Sequence, residues 1–213
     1  VTGALVDRVL FEGRRATGVE TRVNGVPRTF RTDGEVILSA GALMSPQLLQ
    51  RSGVGEAAHL RSLGIEVIAD SPGVGAHMLE HRLFMMKYRL NAPMSINAEF
   101  RGARLVRNVL RYYLRRDGPM AAAAYEVAAF VRSMPDSATP DAEILMAPYL
   151  VNMDAKGRLV PDRGHGIHMF GYPLRSKSEG SIRIASADPA SSGLIQAGYL
   201  TDPYDCAVTV AMY

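Results

Sequence analysis

The sequence predicts an α/β portion followed by an α+β portion, and three observations carry that reading. Asn24-Gly25, set between alternating apolar segments, is a strong two-residue hairpin signal. Val36-Ile37-Leu38 lacks polar alternation, the pattern of a strand covered on both faces, as in a parallel sheet. Beyond Leu83, five strand candidates follow with few segments suited to parallel crossovers, which predicts an antiparallel layer.

Taken in order, Leu5 to Phe11, Ala16 to Val23 and Thr29 to Arg31 predict a three-stranded meander, turned at Glu12-Gly13-Arg14 and again at Asn24-Gly25. A buried strand over Val36 to Ser39 ends on small residues. Ser45-Pro46 then reads as a cap and first-position pair for a helix over Gln47 to Arg51, and a second helix is expected over Glu56 to Leu63, stopped by Gly64. A short strand is expected over Ile65 to Ile68. Pro72-Gly73-Val74-Gly75 marks a boundary. The antiparallel layer comprises Leu83 to Leu90, Tyr125 to Val131, Ala142 to Leu150, His165 to Leu174 and Ser181 to Ala185. A helix over Phe100 to Arg116 interrupts it, and a last helix begins at Asp202-Pro203.

Composition narrows the class. In 213 residues there are 24 Lys+Arg against 21 Asp+Glu, 47% hydrophobic residues and no Trp, which excludes collagen-like, disordered and disulfide-scaffold chains. A net charge of +3 is a small excess rather than a polybasic tail, so nucleic acid is not an expected partner. Cys206 is the single cysteine and has no internal disulfide partner. With neither a signal-like opening nor a run of about 18 apolar residues, a cytoplasmic location and no membrane span are the expectations.

The stretch Gly41-Ala42-Leu43-Met44-Ser45-Pro46-Gln47-Leu48-Leu49-Gln50-Arg51-Ser52-Gly53-Val54-Gly55 carries the most chemical information. A strand ending in Ser39-Ala40-Gly41 lets a ligand approach the backbone, and the helix that follows offers free amides to an anion. The same features also suit a bare tight turn. All defined positions of this stretch closely resemble the second signature of the glucose-methanol-choline (GMC) family of FAD-dependent oxidoreductases. Pro72-Gly73-Val74-Gly75-Ala76-His77-Met78-Leu79-Glu80-His81, Gly180 to Pro189 and Tyr199 to Pro203 are similar to later family segments, with Glu80 where an Asp is usual.

The resemblance implies the late part of a Rossmann-like FAD-binding domain over residues 1–75, a substrate domain over 76–200, and the start of a returning helix over 201–213. It implies alcohol oxidation with hydride passing to FAD, and FAD contacts at Val6, through backbone groups against the adenine edge, and at Ala40 and Gly41. No catalytic residue is assigned. The dinucleotide fingerprint is expected upstream of Val1 and the catalytic His downstream of Tyr213, so the chain reads as a central piece, expected to be inactive alone and not to retain FAD. Choline-specialised members carry a carboxylate after the position of His81 and a His in the strand at Ala142 to Leu150. Here Arg82-Leu83-Phe84 and Ala147-Pro148 stand in those regions, which favours an uncharged or apolar alcohol.

Competing readings attach to particular residues. As it stands, the chain is alternatively a cofactor-free substrate-domain fragment. His77-x-x-Glu80-His81 spells a zinc-peptidase motif, with Glu143 as a nominal third ligand, but the motif requires a helix where Pro and Gly precede and a strand follows; no metal is expected. His165 and His168 read as ordinary strand histidines, with one of them facing a substrate cavity as the alternative. Arg101, Arg104, Arg107, Arg111 and Arg115 form a stripe opposite Leu105, Val106, Val109, Leu110 and Tyr113, read as the solvated face of a helix packed over a sheet, with an anionic membrane surface or phosphates as the alternative. The unpaired strand at Val36 to Ser39 is expected to promote self-association.

Overall fold

The computed structural model describes residues Val1–Tyr213. In chain order the elements are β1 (Ala4–Glu12), β2 (Arg15–Val23), β3 (Val26–Arg31), α1 (Gly41–Arg51), β4 (Val54–Gly55), α2 (Ala57–Ser62), β5 (Ala69–Asp70), β6 (Phe84–Arg89), α3 (Gly102–Arg115), β7 (Val127–Val131), β8 (Ala142–Ala147), β9 (Val151–Met153), β10 (Leu159–Pro161), β11 (Gly166–Pro173), β12 (Ser181–Arg183), β13 (Leu194–Gln196) and α4 (Pro203–Ala211). They fall into two compact units, Val1–Glu80 with Ser178–Thr201, and His81–Lys177 with Asp202–Tyr213. The break after Glu80 lies close to the Pro-Gly cluster that marks a boundary in the sequence. Residues 178–201, by contrast, return to the first unit, a long-range association that composition does not register.

In the first unit β1, β2 and β3 form the expected antiparallel meander, with Val23 opposite Val26 across the Asn24-Gly25 turn. Asn24 adopts φ 51° and Gly25 φ 82°, the left-handed pair that such a turn requires. Helix α1 is longer than the cap reading predicts. It begins at Gly41 and contains Pro46, because Ser45 Oγ turns back to accept the Ala40 N–H (3.1 Å) instead of starting the helix. Val36 to Ser39 pairs with no strand, since no strand of this unit lies alongside it, and Ile37 is 80% exposed. The short strand expected at Ile65 to Ile68 also moves: the parallel pairing forms at Ala69–Asp70, against Val54–Gly55.

Gln50 ties residues 178–201 to α1. Its buried amide donates to the Ile182 carbonyl (2.9 Å) and accepts from the Ile184 N–H (3.0 Å), completing a stretch of backbone that has no strand on that side. Gly75 crosses the same point: an added Cβ would lie 2.0 Å from the Ile182 carbonyl oxygen, and its φ of 79° also favours glycine.

The second unit is built on a four-stranded antiparallel sheet in the order β6-β11-β8-β7. Period-two alternation along β11 places His168 and Phe170 on one face and Met169 and Gly171 on the other. Helix α4 packs on the second face, where Gly171 leaves room for Met212 Sδ. Asp202 caps α4 by accepting from the Tyr204 N–H (2.8 Å), as its Asp-Pro start predicts. Buried Asn97 pins the segment before α3: it donates to the Leu150 and Asp162 carbonyls and accepts from the Leu150 N–H. Helix α3 departs from its expected setting: on its apolar side Val109 is half-buried, but Val106, Leu110 and Tyr113 stay exposed.

Candidate functional site

Two places hold chemically distinctive residues, one in each unit. In the first, Ala40 and Gly41 open α1. Ala40 is the cap residue, no side chain caps the helix, and its first turn holds no acid, so the positive end of the helix dipole is uncompensated. Gly41 has φ 81°, and nothing stands within 4 Å of where a Cβ would be. Small side chains, a left-handed glycine and uncapped amides are features that the phosphate-bearing part of a dinucleotide would use.

Val6 lies half-buried in β1, opposite Thr21 and beside a register shift that passes over Asp7. The groups of β1 next to it meet the other end of α1. The Asp7 carbonyl accepts from Arg51 Nε (3.3 Å), and the Val9 N–H donates to Ser52 Oγ (2.8 Å). The structure therefore sets the neighbourhood of Val6 against the C-terminal end of α1, and Ala40 and Gly41 at its N-terminal end, about 16 Å away along an eleven-residue helix. Burial holds the Arg51 guanidinium below its ordinary range, with Asp7 and Asp188 opposing that effect.

In the second unit an aromatic cleft of about 340 Å³ is lined by Phe100, Tyr125, Tyr149, His168 and Phe170, with Val151, Leu159 and Pro161 at its edges. The rings meet edge to face: Tyr149 and His168 at 5.1 Å, His168 and Phe170 at 5.2 Å, Tyr125 and Phe170 at 5.6 Å, Phe100 and Tyr149 at 5.3 Å. Only 2% of His168 is exposed. Its Nδ1 sits 2.6 Å from the Tyr149 carbonyl, which can only accept, so Nδ1 carries the proton and Nε2 is left as an acceptor. Burial lowers the imidazole's pKa, outweighing the Tyr149 carbonyl, and Lys87 on the facing strand acts in the same direction; the ring is neutral at pH 7.

Below it on the same face, Tyr172 donates to Glu143 and stacks on His81 at 4.6 Å between centroids. The hydrogen bond to Glu143 is the main reason that its phenol is pushed up to about 12, with burial adding to it.

The His77-x-x-Glu80-His81 motif forms no helix. His77 has φ 57°, Met78 bridges to Gly180, and His81 contacts the Leu174 carbonyl. No group of three or more His, Cys, Asp or Glu side chains is placed to hold a metal ion.

Residues 1–83 match the family model described as GMC oxidoreductase. The chain belongs to the GMC oxidoreductases. An uncharacterised GMC-type oxidoreductase of Mycobacterium tuberculosis is 36% identical over 202 residues, 95% of this chain and 37% of that protein. An oxygen-dependent choline dehydrogenase of Brucella canis is 34% identical over 200 residues, 94% of this chain and 36% of that protein. The chain thus spans little more than a third of the length of these GMC relatives. Among solved structures, formate oxidase superposes with a TM-score of 0.87 at 22% identity, covering 98% of this chain and 41% of that one. An FAD-dependent oxidoreductase from Chaetomium thermophilum gives 0.81 at 20% identity, covering all of this chain and 43% of that one. The mixed fold, a meander-bearing unit and an antiparallel unit, is therefore a GMC fold.

The sequence contains a readable signal for α1 and its glycines, but not for the cleft. His168, Tyr125, Tyr149 and Phe100 lie up to 68 residues apart and follow no motif; only the alternation that sets His168 and Phe170 on one face of a strand was legible.

Proposed function

We propose that this chain is the central part of a flavin-dependent oxidoreductase that converts an uncharged, apolar alcohol to a carbonyl compound. The observation that carries the substrate class is the aromatic cleft of the second unit, walled by four rings with the neutral His168 among them and no charged side chain in its lining. When bound, FAD supplies the hydride acceptor for the alcohol carbon. Ala40 and Gly41 would hold its phosphate-bearing part, and the backbone groups at Val6 its adenine edge. His168 accepts the alcohol O–H and orients it, while Tyr125, Tyr149 and Phe170 exclude water around the apolar remainder. The base that removes the proton is not assigned to any residue of this chain.

A quaternary ammonium substrate fits this cleft less well. Four rings favour a cation, but no carboxylate lines the cleft, and Lys87 stands on the strand beside His168. The test is the ratio of kcat/KM for benzyl alcohol over choline, measured on an enzyme of the relatives' length that contains this chain. A ratio well above one is expected, and a preference for choline overturns the substrate reading. We also propose that the 213-residue chain alone is colourless after purification. A flavin band in its visible spectrum would overturn that.

A further inference from the structure

The helix α3 is the part of the molecule whose physical character the oxidoreductase reading leaves unexplained. Its fourteen residues, Gly102–Arg115, contain no acid, and Arg104, Arg107, Arg111 and Arg115 share one side. On the opposite side Val106 is 60% exposed, Leu110 56% and Tyr113 68%, while Leu114, 81% exposed, lies beside Arg107 and Arg111 at the edge of the basic stripe. The ordinary account of such a helix, apolar side packed and basic side solvated, holds for half-buried Val109 but fails for Val106, Leu110 and Tyr113, which stay exposed. The only buried side chain is Asn108, held by Glu99.

The charge pattern identifies what would cover it. Arg101, Arg104, Arg107, Arg111, Arg115 and Arg116 face two nearby carboxylates, Glu99 and Asp117, which pair with Arg104, Arg107 and Arg111. A local excess of positive charge remains. The helix is also electrostatically mismatched at its start: its cap is Arg101, without a side-chain cap, and Arg104 occupies the first turn, where the dipole favours anions. At the other end Arg116 lies over the rings of Tyr112 and Tyr113, at 5.2 and 5.8 Å, so that an aromatic pair and a guanidinium stand together at the apolar border. An anionic partner offsets the excess charge and the unfavourable first turn, and an apolar one buries Val106, Leu110 and Tyr113. An anionic lipid surface is both at once.

We propose that α3 lies in the plane of an anionic bilayer, its apolar side in the headgroup boundary and its arginines on the phosphates. It lies on the membrane rather than across it, since no helix of the structure is long and apolar enough to span one. The inference is independent of the flavin chemistry and of the aromatic cleft.

Co-sedimentation of the 213-residue chain with phosphatidylcholine vesicles, with and without about 30% phosphatidylglycerol, tests it. Circular dichroism checks the fold of each variant. Binding is expected only with the anionic lipid, and to weaken at about 0.5 M salt, where screening shortens the reach of each charge. Val106→Asp with Leu110→Asp should abolish it, while Arg107→Gln and Arg111→Gln should each weaken it about fivefold. A folded chain that stays in solution at low salt overturns the proposal. So does equal binding to neutral vesicles, or a dimer that Leu110→Asp converts to monomer without any vesicle binding. The same assay on a chain extended to the relatives' length must also show binding; loss there would mean that α3 is covered by the rest of the protein, and would overturn the proposal.

Discussion

Gln50 reaches Ile182 across 132 residues of sequence, its amide nitrogen 2.9 Å from that carbonyl, while its oxygen takes the Ile184 N–H at 3.0 Å. Both ends of one side chain are spent on one passing strand, which is how residues 178–201 join the unit that contains α1. Replacing Gln50 by Leu keeps the bulk but leaves a buried carbonyl and a buried N–H without partners. A loss of about 2 to 4 kcal/mol is expected from two such groups, read from the denaturant midpoint. A variant as stable as the parent would show that these bonds are replaced by water.

Asp141 organises the turn between β7 and β8. Burial alone would raise its pKa, but hydrogen bonds from the Ser133 and Met134 amides and the Ser137 hydroxyl outweigh it and bring the carboxyl down to about 2. A folded-state value below the unfolded one gives stability that is complete above about pH 4 and is lost as pH falls towards 2. Asp141→Asn should therefore destabilise the protein by about 1 to 3 kcal/mol at pH 7 and flatten the acid limb of its stability curve. An acid limb identical to the parent's would rule out Asp141 as its source.

His168 gives a test of the same sign at milder pH. Its imidazole titrates below the ordinary histidine value because it is buried. Stability linked to it is present above about pH 6.5 and falls as the unfolded ring, but not the buried one, takes up a proton. His168→Phe preserves the aromatic packing and removes that dependence. In an enzyme of the relatives' length, the same change should raise KM for benzyl alcohol about tenfold through the lost acceptor bond, with little effect on kcat. A fall in kcat alone would assign His168 a different role.

Ile37 projects from an extended, unpaired segment whose neighbours Val36 and Leu38 are half-buried. Apolar backbone with free hydrogen-bonding groups associates with its own kind. Light scattering of the 213-residue chain should show dimers or larger species, and Ile37→Lys should shift the distribution towards monomer. A strictly monomeric parent would dispose of this prediction.

The sequence by itself determined the meander, through Asn24-Gly25, the four strands of the second unit's larger sheet, though not β9 and β10, and the family, through the run from Gly41 to Gly55. These are local properties, set by turn chemistry and side-chain period within a dozen residues. Tertiary structure alone decided the rest. Pro46 lies within α1 because Ser45 bonds to Ala40; residues 178–201 belong with α1 because Gln50 and Gly75 accommodate them; and four rings from separate segments surround His168. Whether Val36 to Ser39 pairs, or the apolar side of α3 is covered, depends on which neighbours are present. Amphipathic or apolar patterning states what a segment would bury, and only the assembled chain shows what it buries against.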